Sequence, residues 1–217
     1  GLTDWGVLGA VIGRKSGSYW AIPVIEGIER VPNSDEIKHM GAAMASYGST
    51  PLFHIVGITP ECQTLSDVGG DKLAAEDITA AEIGEFRRPF GAKGEKVDVV
   101  VFAAPQLSLV EMQQVADLCR GNSIHMDTDL IVCTPPSVYS DAKRMGLIDG
   151  IESFGARVLQ GTCFYQQYAR EIGEANGWKR LLSNSTKIVN ILGGYGYQPA
   201  LASMEDCIAS AVAGEIV

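Results

Sequence analysis

The stretch Phe53-His54-Ile55-Val56-Gly57-Ile58-Thr59-Pro60-Glu61 puts a histidine near the end of an apolar run, with a threonine and a carboxylate in the loop behind it. His54 could orient or protonate a leaving hydroxyl, and Glu61 could act as a base. The same residues also suit a strand histidine followed by an ordinary proline turn. A second stretch, Leu182-Ser183-Asn184-Ser185-Thr186-Lys187, sets four small polar residues and a lysine between a strand and a helix. N–H groups at a helix start attract anions, and Lys187 adds a charge suited to carboxylate or phosphate. A plain helix cap at Ser183 or Asn184 is the other reading. A third, Gly161-Thr162-Cys163, follows a strand. A loop thiolate there could bind iron or act as a nucleophile, and a small half-buried cysteine is the alternative.

The elements that must position these residues alternate. In the first part, Ala21–Ile25 and Leu52–Val56 read as strands. Between them a helix starts at Asn33 or Ser34, runs to about Tyr47 and stops at Gly48. The segment 65–96 is acidic and glycine-rich, with one helix near Thr79–Arg87 opened by a Thr79/Glu82 capping box. From Val97 the pattern is regular. Strands are expected at Val97–Ala103, Asp129–Cys133, Arg157–Gln160, Leu181–Leu182 and Pro199–Ala202. Helices are expected at Leu109–Cys119, from Pro136 to about Met145, at Ile148–Phe154, Ser185–Leu192 and Met204–Ala213. Strands alternating with helices predict an α/β fold of three layers around a parallel sheet, in two portions, residues 1–96 and 97–217. Ligands of such sheets sit at the carboxyl ends of strands.

Composition narrows the function classes. The chain has 217 residues, 46% of them apolar, enough for a sizeable core. Seventeen basic against 26 acidic residues give a net charge of −9, which argues against nucleic acid and anionic membrane surfaces as partners. No apolar run approaches the roughly 18 residues of a membrane span, and the first residues lack the pattern of a signal peptide. Five widely spaced cysteines without a CxxC pair fit reduced thiols in a cytoplasmic protein. No GxGxxG follows a strand, and the glycines of Gly193-Gly194-Tyr195-Gly196 follow a helix.

Several stretches occur together in the order found in the aconitase X family. They are Asp4-Trp5-Gly6-Val7-Leu8-Gly9, Ile22-Pro23-Val24-Ile25-Glu26-Gly27, the segment 53–61, Ala104-Pro105-Gln106-Leu107-Ser108, Thr162-Cys163, Ser183–Lys187 and Leu201-Ala202-Ser203-Met204-Glu205-Asp206-Cys207. The chain resembles the C-terminal half of that family's large catalytic region, without the upstream half or the small swivelling domain. The resemblance implies aconitase-like large-subunit domains and a hydro-lyase. Family members dehydrate cis-3-hydroxy-L-proline or mevalonate 5-phosphate at a site holding an iron–sulfur cluster. It implies His54, Glu61 and Ser185 as catalytic residues and Cys163 as a cluster ligand. Thr59, Ser183, Asn184, Thr186 and Lys187 would bind substrate, and a small swivel subunit or domain would close the site.

The sequence departs from the family at informative places. Phosphomevalonate-type members carry Cys, His and Asp where this chain has Ala104, Gln106 and Gly161. Hydroxyproline-type members lack the first of these cysteines but carry a second one at the place of Tyr165. A small hydroxy acid of the hydroxyproline type is therefore the favoured substrate. One thiolate cannot hold a cluster that needs about three or four. Further ligands would come from the missing half, or the chain belongs to a branch without a cluster. A non-catalytic module that binds a small anion is the competing function. Bound iron and a brown colour mark the enzyme; a colourless, iron-free protein marks the module.

Overall fold

The protein was analysed as a computed structural model that describes residues 1–91 and 93–217. Residues 97–217 form a five-stranded sheet of β3 (Val99–Phe102), β4 (Asp129–Thr134), β5 (Arg157–Gln160), β6 (Arg180–Ser183) and β7 (Gln198–Leu201). Its order is β5-β4-β3-β6-β7 and every pairing is parallel. The central strands β3, β4 and β6 are short apolar runs because both their faces are covered, while the edge strands β5 and β7 are more exposed. Val100, Phe102, Leu130, Val132 and Leu182 face α4 (Leu109–Cys119), α6 (Leu147–Phe154) and α9 (Met204–Ala213). Val99, Val101, Ile131 and Leu181, one residue out of phase, face α8 (Thr186–Leu192), α7 (Ala169–Asn176), Phe164 and Trp178. The expected three layers are present, and α5 (Pro136–Arg144) starts at its proline as read. Helix α7 escaped the sequence reading.

The first part holds α1 (Leu2–Ser16), β1 (Val24–Ile25), α2 (Ser34–Gly48), β2 (His54–Ile55) and α3 (Ala80–Arg87). Strands β1 and β2 are parallel, joined through α2 as a crossover, and shorter than their apolar runs suggested. The Asn33/Glu36 and Thr79/Glu82 capping boxes both form. Helix α1 had no counterpart in the sequence reading. Its glycines are contact points rather than breakers: a Cβ on Gly9 would lie 2.2 Å from the Met40 carbonyl oxygen. Helix α2 ends at Gly48 as read, but that glycine is a contact point and not the left-handed exit. A Cβ there would stand 2.0 Å from the Gly13 carbonyl, and Ser49, with φ 55°, makes the left-handed exit instead.

The two parts meet along α1, α2 and α8. Asn190 donates to the Ser46 carbonyl (3.0 Å), and the Thr3 hydroxyl donates to that of Ala202 (3.1 Å). Gly6 leaves room for Thr186, whose Oγ1 would lie 2.6 Å from a Cβ at that position.

Candidate active site

Strands β3 and β6 lie side by side although their chain directions lead to opposite halves of the sheet. This is the switch point where open α/β sheets place ligands, outside the carboxyl ends of the strands. The ends here are Ala104-Pro105-Gln106 after β3 and Ser183-Asn184-Ser185 after β6. Most of the small polar residues after β6 build the turn. The Ser183 hydroxyl donates to the Val101 carbonyl (2.6 Å) and accepts from the Ser185 N–H (3.1 Å). Ser185 is the true cap of α8: its Oγ accepts from the Ile188 N–H (3.2 Å) and donates to the Ala104 carbonyl (2.8 Å). Thr186 is packed against Gly6 with its hydroxyl unpartnered among the described residues.

Asn184 and Lys187 stand apart from this framework. Asn184 is 2% exposed, yet among the described residues no hydrogen bond engages its amide. Lys187 is half-buried and forms no ion pair among them. Its charge reaches Cys163, half-buried in the turn after β5. Burial raises the Cys163 thiol above its ordinary value, while hydrogen bonds from Tyr165 and the Lys187 charge pull the other way.

The His54 group lies on the first part. His54 Nδ1 is 2.8 Å from Glu61 Oε1. A backbone N–H at its own residue and then His54 hold the exposed Glu61 carboxyl below its ordinary value, so it stays ionised and fixes the ring. Thr59 works on the backbone. Its hydroxyl accepts from the Ile55 N–H and donates to the Ile55 carbonyl, both at 3.1 Å, which closes the outer edge of β2. No hydrogen bond or ion pair among the described residues joins this group to Lys187 or Cys163.

A buried ion network missed by the sequence reading ties α2 to the switch point. Asp35, Glu36, His39 and Glu111 are 8, 5, 4 and 1% exposed. Lys38 Nζ donates to the Gln106 carbonyl (3.2 Å), to Asp35 (3.0 Å) and to Glu111. His39 Nε2 meets the other Glu111 oxygen at 2.8 Å, and Ser108 donates to Asp35 at 2.8 Å. Gln106 in turn donates to the Thr162 carbonyl (2.7 Å), fixing the residue before Cys163. The only sequence signal was the Ser108-x-x-Glu111 capping pattern, because the partners lie 73 positions apart.

The family model for the aconitase X third domain matches residues 97–213, and that for the second domain matches residues 2–88. The chain belongs to the aconitase X family. Among its relatives, the cis-3-hydroxy-L-proline dehydratase of Hypocrea jecorina is 34% identical over 73% of this chain and 27% of that protein. The Pseudomonas aeruginosa protein of that name is 30% identical over 89% and 34%. The phosphomevalonate dehydratase large subunit of Methanocaldococcus jannaschii is 32% identical over 86% and 44%. The crystal structure of Thermococcus kodakaraensis aconitase X in its holo-form superimposes with a TM-score of 0.79 at 21% identity, over 97% of this chain and 52% of that one. The chain thus spans between about a quarter and a half of the length of these relatives.

The aconitase X donor set of this chain does not by itself fit an iron–sulfur cluster. Among the described residues no three His, Cys, Asp or Glu side chains form a group able to hold a metal. The other thiol near Cys163 is Cys133, fully buried in β4 and pushed up to about 12 by burial. Among the described residues no helix is long and apolar enough to cross a membrane.

Proposed function

We propose that this chain supplies the acid-binding and proton-handling side of a hydro-lyase that removes water from a small hydroxy acid. The observation that carries this is the pair Asn184 and Lys187. A buried amide and a half-buried ammonium, both without partners among the described residues, stand at the switch point. Both side chains have donors to offer at the carboxyl ends of the strands, so a ligand that accepts from both is the natural complement. The substrate carboxylate fits there. His54, oriented by Glu61, gives a proton to the departing hydroxyl, which leaves as water, while the α-proton passes to a base supplied by the rest of the enzyme, so that the elimination balances. Ser183, Ser185 and Thr59 hold the frame through hydrogen bonds to the backbone, and Thr186 through its packing against Gly6.

A substrate of the cis-3-hydroxy-L-proline type is favoured over mevalonate 5-phosphate. Ala104 stands where phosphomevalonate-type members carry a cysteine, and one free lysine suits one carboxylate better than a carboxylate plus a phosphate. A small swivel domain closing over the site supplies the exclusion of water that such chemistry needs. An iron–sulfur cluster at this site would take at most the Cys163 thiolate from this chain, and the roles given to Asn184, Lys187 and His54 do not run through it.

The test is Lys187→Ala in the enzyme completed with the parts found in its relatives. The apparent KM for cis-3-hydroxy-L-proline should rise roughly 30- to 150-fold, the equivalent of about 2–3 kcal/mol for a lost charged contact. Lys187→Arg should rescue poorly, since the flat guanidinium cannot take the place of a compact ammonium. A change below about threefold in both variants would remove Lys187 from the site.

A further inference from the structure

The geometry points to strand addition: the open edge of β1 is a docking site for an extended segment from the part of an aconitase X large chain that lies outside these 217 residues. Strand β1 pairs on one side only. The Pro23 carbonyl accepts from the His54 N–H (2.9 Å) and that of Ile25 from the Val56 N–H (3.0 Å). Val24, one residue out of phase, points its N–H and C=O the other way. Among the described residues no backbone hydrogen bond engages Val24 or Glu26 on that side. The far edge of β2 is closed by Thr59, so the sheet can grow in one direction alone.

A groove of about 690 Å³ runs along this open edge. Leu8, Ile12, Ile25, Ile28, Ile78 and Ile83 line it, and Glu26, Glu76 and Asp77 outnumber Lys15 at its rim. Two residues earlier in the same register, Ile22 and Leu52 are 46 and 59% exposed. Parallel sheets are almost always buried on both faces, and two strands alone are marginal in water. The occupant is therefore an extended segment with apolar side chains on alternate residues and a basic side chain for the rim. The source follows from length: this chain covers 34% of the Pseudomonas aeruginosa relative and 52% of the Thermococcus kodakaraensis chain, and its matches are to second and third domains.

The experiment co-produces this chain with the part of the Pseudomonas aeruginosa relative that precedes the matched region. Binding and residue-resolved hydrogen exchange are then measured. In this chain alone the amides of Val24 and Glu26 should exchange freely while that of Ile25 is protected. In the complex both should slow by at least about tenfold. Val24→Pro blocks the edge without removing a bond to β2, and should weaken the complex at least about tenfold. Val24→Thr should leave it intact, and an unchanged Ile25 amide reports that the proline variant is folded. The proposal is overturned by failure of the two polypeptides to associate, or by a complex whose Val24 amide still exchanges freely and whose affinity ignores Val24→Pro. A self-association of this chain that Val24→Pro abolishes would assign the edge to a second copy and overturn the occupant named here.

Discussion

The proposed function gives His54 and Lys187 different tasks, and kinetics separates them. On the proposed function Lys187 holds the substrate's acid group in both ground and transition states, so its loss should fall mainly on KM. His54 acts as the proton moves, so His54→Asn should lower kcat by about 10²- to 10⁴-fold with little change in KM. Glu61→Gln should give a smaller loss in kcat, because the ring loses its ionised partner but keeps its place on β2. Equal losses in kcat and KM for both residues would contradict this division of labour. Ser185 belongs to a third kind. Its hydroxyl joins α8 to the end of β3, so Ser185→Ala should cost about 0.5–2 kcal/mol in urea unfolding through the lost cap. Sequence alone could not separate Asn184 from its neighbours, since Ser183, Asn184 and Ser185 are all capable caps. Which one caps depends on where the Ala104 carbonyl arrives from a strand about eighty residues away.

At the scale of elements, the glycines divide by what stands opposite them. Gly9 and Gly48 are sites of helix contact, and a methyl group there meets backbone that cannot yield. Gly9→Ala should destabilise the protein by about 1–3 kcal/mol, the range for overpacking a tight contact. Gly84 lies exposed in α3 with nothing within 4 Å of a Cβ, so Gly84→Ala should stabilise by about 0.5–1 kcal/mol. Thermal unfolding of the two variants checks both signs. The same contrast explains why α1 was illegible and the parallel sheet was not. Val97 onward announces itself through local signals: apolar runs, Ser108 and Ser203 as caps, Pro136 at a helix start. Gly6, Gly9 and Gly13 look like breakers until α2 and α8 are in place, because their reason is tertiary. Helix α7 carries no capping side chain and only a short run of residues, so it too lacked a local signal.

At the scale of the molecule, the buried network joins the two parts through charge. Burial alone would raise the Glu111 carboxyl, but the hydrogen bond and charge of His39, followed by Lys38, outweigh it and leave the group below its ordinary value. The Arg30 guanidinium beside Glu36 pulls that carboxyl down to about 2. Both groups bind fewer protons in the folded than in the unfolded chain at acid pH. Their contribution is therefore complete above about pH 5 and fades as pH falls through 4 toward 2. Urea unfolding at stepped pH should show this loss, and Glu111→Gln should lower neutral stability while flattening the acid limb. A variant with the wild-type acid limb would mean that the network is not what acid dissolves. Because Lys38 also grips Gln106, and Gln106 the residue before Cys163, loosening the joint should reach the thiol. Glu111→Gln should change the rate at which Cys163 reacts with a soluble alkylating reagent at neutral pH.

Thr59 gives the small sheet a valence of one. By occupying both backbone groups of Ile55 it makes β2 a terminus, so whatever joins at β1 cannot be followed by another copy on the far side. Strand pairing by this chain can then produce a closed pair but not a polymer. Thr59→Val keeps the shape and frees the Ile55 N–H, while the Ile55 carbonyl still accepts from the Ile58 and Thr59 N–H groups (3.1 and 3.0 Å), so the plug is loosened. Concentrated solutions of that variant should scatter light and bind amyloid-reporting dyes where the parent stays clear, and a clear solution of the variant would show that the hydroxyl is not what limits growth.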